Sequence, residues 1–207
     1  MAPSRISRGF TLIEVIIALA IVAILSSVIT LSAVRYLNSG KIARAQSDCA
    51  VIAKQMLQFR ADCGYWPTRT VAAGAENVDN LITGTTADVP PGDNSVAPGA
   101  DNWGRLGVVD TIPDQIITND PAYATSVNPR SQPGWNGPYL NSDVLDPWNN
   151  SYMINVRYLR ENGPANRMQH NVFVLSAGPN GVTETAFQDG TVNEVLTLGD
   201  DIGYRLR

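Results

Sequence analysis

Residues 15–34 form a run of twenty amino acids with no charged side chain, interrupted only by Ser26, Ser27, Thr30 and Ser32. Twenty helical residues span about 30 Å, the thickness of a bilayer's hydrocarbon core. Each of the four hydroxyls can bond back to its own helix, so none disqualifies the span. Glu14 stands at the head of the run. An ionisable group within a membrane-length segment costs roughly 2.5–3.5 kcal/mol at a helix centre on insertion scales, which points to a functional role with a partner of opposite charge. A secretory signal peptide has an apolar core of about 7–15 residues followed by a small-residue cleavage site; here the run is longer and an acid occupies the junction. A plain signal anchor accounts for the length and leaves the acid unexplained. Arg5 and Arg8 precede the run, and Arg35 and Tyr36 close it. By the positive-inside rule this orientation puts the amino terminus in the cytoplasm and the bulk of the chain across the membrane.

Beyond the run the pattern changes without a stop signal. Ile42, Ala45, Cys49, Ile52, Met56, Phe59 and Cys63 recur at alternating spacings of 3 and 4. That period predicts an amphipathic helix with one narrow apolar stripe packed on a sheet. Asn38-Ser39-Gly40 is its weak point, where a bend or frayed turn is expected. Cys49 and Cys63 lie about 21 Å apart if they share one helix, and a disulfide needs Cα atoms within about 7 Å. Both therefore read as small buried hydrophobes, with an inter-subunit bridge or a local unwinding near Gly64 as the alternatives.

Twelve of the 13 prolines lie at or beyond Pro67, which disfavours long helices there. Residues 70–135 alternate turn signals with short apolar pieces at 106–109 and 112–117 and read as a loop-rich excursion with one or two short helices or strands. Strand signals come late, at 151–159 and 172–176, with a third candidate at 195–198. Three antiparallel strands against the amphipathic helix give an α+β fold.

The charge balance excludes some functions. The chain carries 15 basic side chains against 19 acidic ones. No basic stripe exists for nucleic acid to follow. With His170 as the single histidine, neither a Ser-His-Asp arrangement nor a multi-histidine zinc site can be drawn. The Gly-rich stretches lack the Gly-Lys-Ser/Thr ending of a phosphate cradle. The chain reads as no enzyme, with His170 a surface or satisfied residue.

Gly9 followed by Phe10-Thr11-Leu12-Ile13-Glu14, behind a short basic leader, resembles the prepilin cleavage and methylation motif of type IV pilins and type II secretion pseudopilins. The resemblance implies that a prepilin peptidase cuts after Gly9 and methylates the new amine of Phe10. It also implies that Glu14 pairs with such an amine, usually a neighbour's, as subunits stack. Asp62-Cys63-Gly64-Tyr65-Trp66-Pro67-Thr68, Gly134-Trp135-Asn136-Gly137-Pro138-Tyr139-Leu140 and Asp146-Pro147-Trp148-Asn149-Asn150 are similar to segments of the major, G-type pseudopilins. So is Phe173-Val174-Leu175-Ser176-Ala177-Gly178-Pro179-Asn180-Gly181, with Gly199-Asp200-Asp201-Ile202 near the end. Residues 69–133 have no counterpart in that group. Many of its members carry a helix-breaking glycine and proline in the membrane half, where this chain has Ala23 and Leu31.

The resemblance implies a pilin-like chain in five parts: a leader at 1–9, a transmembrane and filament-core helix at 10–35, its amphipathic continuation at 36–63, a loop-rich insert at 64–133, and an antiparallel sheet with a carboxy-terminal loop at 134–207. The implied function is a structural subunit of a type II secretion pseudopilus, with a type IV pilus subunit whose insert decorates the fibre as the alternative. The implied partners are copies of itself, other pseudopilins, prepilin peptidase and the secretion assembly platform of the inner membrane, from which the body faces the periplasm. G-type pseudopilins also fold the loop equivalent to 177–198 around calcium, an ion that takes six to eight hard oxygens. Asp189 and Asp201 are the first candidates for ligands, then Asn180 and Asp200. The other reading of these residues is solvent-exposed turns with no ion.

Overall fold

The computed structural model describes residues 9–71, 74–97, 99–126, 133–188 and 197–207, and the side chains of 27–32 are left aside. Two compact units divide the chain, Met1–Gly40 and Lys41–Arg207. Helix α1 (Leu12–Cys63) begins in the first and ends in the second, and it runs unbroken through Asn38-Ser39-Gly40. The backbone is helical there, with no frayed turn. Its last turn carries Arg60, a cation placed to offset the carbonyl end of the helix dipole.

In the first unit Phe10, Leu12, Ile13, Leu19 and Ile24 are all more than 60% exposed. Apolar side chains lie open around the whole helix rather than along one stripe. Among the described residues no helix is long and apolar enough to cross a membrane.

The second unit has its own core. Ala45, Cys49, Ile52, Met56, Phe59 and Cys63 are buried as the period requires, while Ile42 lies exposed ahead of them. Strands β1 (Val78–Ile82), β2 (Val108–Thr111), β3 (Met153–Ile154), β4 (Phe173–Ser176) and β5 (Ile202–Arg205) form one sheet in the order β2-β1-β3-β4-β5. The β1–β2 pair is parallel and the other three pairs are antiparallel. Phe59 meets Tyr123 and Tyr139 edge to face, with ring centroids 5.2 and 5.5 Å apart, a geometry that suits the ring quadrupoles. Cys49 and Cys63 are free and buried. Burial pushes the Cys63 thiol up to about 11 and the Cys49 thiol higher still.

The segment 64–133 carries the short elements expected of it, and two of them, β1 and β2, are strands of the five-stranded sheet, with a short helix α2 (Asn102–Arg105) and a π-helical turn at Asp114–Thr118 beside them. The strand signal at 151–159 yields only β3 before a 3-10 turn at Val156–Tyr158. Asn155 explains the truncation. Its buried amide donates to the carbonyls of Asn171 and Phe187 and accepts the N–H of Phe173 at 2.9 Å, taking over bonds a strand backbone would make. The third late strand lies at Ile202–Arg205; of the 195–198 candidate, 195 and 196 fall outside the described residues and 197 and 198 lie outside any strand.

The inserted strands are tied in by charge. A register shift between Val78 and Asn80 marks a bulge at Asp79. Its carboxylate accepts the N–H of Val108 at 2.9 Å and pairs with Arg160 at 3.1 Å and Arg157 at 3.7 Å. Gly107 has φ +69, and a Cβ there would fall 1.7 Å from Asp79 Oδ2, so only glycine fits. The Asp146 turn is similarly stapled to β4: Asp146 accepts the amides of Trp148 and Asn150 and the hydroxyl of Ser176 at 2.7 Å.

Candidate functional site

The head of α1 is the first candidate. Thr11 is the residue before the helix, and its Oγ1 accepts the N–H of Glu14 at 3.4 Å while its carbonyl accepts those of Glu14 and Val15 at 3.1 and 3.3 Å. Thr11 is thus an N-cap and Glu14 the N3 residue, the spacing of a capping box. Phe10 and Val15 occupy the flanking positions of a hydrophobic staple. The functional motif therefore contains a local helix-start signal, which reading Glu14 only as an intramembrane charge overlooks. An acid in the first turn also favours the positive end of the helix dipole.

Glu14 is exposed, and no cation lies within salt-bridge distance of it among the described residues. Phe10, Glu14, Val15, Ala18, Leu19 and Val22 line one apolar face. Gly9 is exposed, and a Cβ built on it meets nothing within 4 Å. The local fold does not demand glycine at that position.

The second candidate is the loop that returns onto β5. Asp201 is 6% exposed, and its Oδ2 accepts the N–H groups of Glu184 and Thr185 at 2.9 and 2.7 Å. Burial is the main force pushing its carboxyl up, from the ordinary 3.8 to about 6, against the pull of those hydrogen bonds. Asp200 Oδ2 accepts the N–H of Asn180 at 3.1 Å, and Asp200 N–H donates to Glu184 Oε2 at 2.8 Å. Asn180 is spent within the loop: its Oδ1 takes the N–H of Val182 at 2.7 Å and its Nδ2 donates to Glu184 Oε1 at 3.0 Å. Gly199, at φ +61, leaves room for the Glu184 carboxylate, which a Cβ would meet at 1.5 Å.

Asn180, Asp200 and Asp201 therefore do come together, and Glu184, absent from the sequence-based set, is the residue that links them. Glu184 could have been suspected as a carboxylate in the same glycine-bounded loop. Asp189 lies outside the described residues. The Oδ1 atoms of Asp200 and Asp201 are buried with no hydrogen-bond partner among the described residues, an arrangement that suits a cation. Yet no group of three acidic, histidine or cysteine side chains among the described residues is placed to hold a metal.

His170 is satisfied. Its Nδ1 lies 2.9 Å from the Gln188 carbonyl, its Nε2 2.9 Å from Asn166 Nδ2, and its ring lies 4.4 Å from that of Tyr158. A carbonyl at Nδ1 and an amide donor at Nε2 fit the neutral ring with the proton on Nδ1.

Comparison with curated proteins and with solved structures found no match. Residues 4–30 match the model of the prokaryotic N-terminal methylation motif. That stretch takes in Gly9, Phe10, Thr11 and Glu14, the residues whose geometry is described above. The match supports a membrane-anchored subunit of the type IV pilin-like kind, processed by a prepilin peptidase and assembled into pilin-type filaments.

Proposed function

We propose that the chain is a structural subunit of a type II secretion pseudopilus, with no catalytic chemistry of its own. One observation carries the reading. A helix with apolar side chains exposed on all faces is headed by an exposed acid that has no cation beside it among the described residues. Such a surface is stable only when lipid or other helices cover it. In this reading residues 10–35 first cross the inner membrane, with the amino terminus cytoplasmic and the body periplasmic. The helices of successive copies, joined by other pseudopilins, then bundle on the assembly platform. Glu14 meets the methylated amine of a neighbour's Phe10, so two charges leave water together and fix the axial register.

The order of the segments at 62–68, 134–140, 146–150 and 173–181, similar to G-type pseudopilins, favours the secretion role over a pilus. Glu14→Leu should leave membrane insertion and removal of residues 1–9 intact while sheared filaments disappear from electron micrographs. Normal filaments from that strain would refute the pairing.

We also propose calcium for the loop below β5. The unpartnered Oδ1 atoms of Asp200 and Asp201 fit such an ion, and Asn180, with its amide committed within the loop, does not. Bound calcium would supply positive charge for two crowded carboxylates. Millimolar calcium should raise the melting temperature of the chain, and Asp201→Ala should abolish the rise; no shift in the unsubstituted chain removes the site.

A further inference from the structure

A cleft of about 290 Å³ opens beside the carboxy-terminal end of α1, lined in part by Arg60, Tyr65, Trp66, Glu76, Arg167 and Arg207. Three guanidinium groups converge there in a chain with 19 acidic and 15 basic side chains. The ion pairs formed among the described residues use Arg44, Arg105, Arg157 and Arg160, and none uses the three arginines of the cleft. Two of the three are held in place. The Arg60 guanidinium lies 4.6 Å over the Trp66 ring, a cation–π contact. Arg207 Nη2 donates to the carbonyls of Tyr158 and Arg167 at 2.6 and 2.7 Å. Burial, and then the like charges of Arg167 and Arg60, loosen Arg207's hold on its proton.

Glu76 and Glu161 also line the cleft. Glu76 spends one oxygen on the N–H of Glu161 at 2.5 Å, and neither carboxylate comes within 4 Å of an arginine among the described residues. Local roles explain the arginines one at a time: Arg60 offsets the helix dipole and Arg207 caps two carbonyls. They do not explain why three like charges share one opening.

We propose that this cleft binds a carboxylate. The planar guanidinium fork matches a carboxylate with paired hydrogen bonds, and the exposed Met168, which also lines the cleft, offers a flank for the apolar stem that carries it. The volume suits one side chain or a small polycarboxylate rather than a large cofactor. A free polycarboxylate and an acidic side chain on another polypeptide present the same chemistry.

Isothermal titration calorimetry of the full chain in detergent micelles at low salt tests this, with citrate and an acetylated, amidated aspartyl-glutamate dipeptide as separate probes. At least one should bind saturably at one site per chain, and Arg167→Gln should weaken it at least tenfold with the melting temperature unchanged. Arg60, being exposed, supplies a second variant, Arg60→Gln, should the first fail to fold. Citrate binding alone assigns the site to a free polycarboxylate; dipeptide binding assigns it to a polypeptide partner. The proposal is overturned by no saturable binding of either probe, by binding that persists in both variants, or by phosphate binding as tightly as the carboxylates.

Discussion

Asp79 offers a direct test of how firmly the inserted strands belong to the domain. Its side chain is 8% exposed and faces Arg160, 13% exposed, at 3.1 Å. The same carboxylate holds the first amide of β2, that of Val108, at 2.9 Å. Asp79→Ala removes the anion and leaves both partners. Stranding one member of a buried pair costs about 3–5 kcal/mol, and an orphaned buried N–H costs about 1–3 kcal/mol more. Arg157, 31% exposed, and the edge of Arg160 retain some contact with water, so the low end, about 3 kcal/mol, is the expected loss. For a chain of this size about 1 kcal/mol moves the melting temperature by roughly 2–4 °C, so near-ultraviolet circular dichroism should show melting about 6–12 °C earlier. Asp79→Asn keeps an acceptor for Val108 and should recover part of that difference. Melting of Asp79→Ala within about 2 °C of the unsubstituted chain, less than 1 kcal/mol is worth, would sink the reasoning, and residues 64–133 would then be an appendage that the sheet does not need.

Three other perturbations probe the thiols, a half-buried acid and the helix head. Cys63, pushed up to about 11, and Cys49, higher still, hold almost no thiolate at neutral pH; maleimide should leave both unlabelled in the native chain and label both in denaturant. Asp110 is raised above its ordinary 3.8, chiefly by burial. Its folded form holds the proton more tightly than the unfolded one, so its cost to stability is full above the raised value and fades as pH falls below it. Asp110→Asn should therefore raise the melting temperature at about pH 7 and leave it unchanged near pH 3. Glu14→Gln preserves the capping-box residue type and removes the charge; helix content should stay constant while filaments are lost, and filaments that persist would assign Glu14 to the cap alone.

How much of the fold was legible in the sequence depends on how local each signal is. The helix was readable because a 3.6-residue period acts over a few turns, and the burial of Ala45, Cys49, Ile52, Met56, Phe59 and Cys63 follows that period. Phe173–Ser176 was readable as a strand for a similar reason, being an apolar run bounded by turn residues. β1 escaped because its sequence, Val78-Asp79-Asn80-Leu81-Ile82, places two polar residues in a fully buried strand. Both find partners only in distant groups, Asp79 in Arg160 and Val108, and the Asn80 amide nitrogen in the carbonyl of Trp103. No window along the chain contains those partners. The early end of β3 has the same origin, since the bonds of Asn155 reach 16, 18 and 32 positions away.

The two candidate sites divide along the same line. The helix head was legible as a run of consecutive residues, Gly9 to Glu14, whereas the cap that Thr11 offers Glu14 within the same turn went unread. The loop below β5 was legible only as a composition of oxygen-bearing residues. Which of them are free to take a cation depends on contacts such as that of Glu184 with Asp200, 16 positions away. Asn180, an amide that looks like a ligand in the sequence, has its oxygen bonded two residues ahead, to Val182. A donor's chemistry can be read from its side chain, but its availability is fixed by the hydrogen bonds the fold has already made.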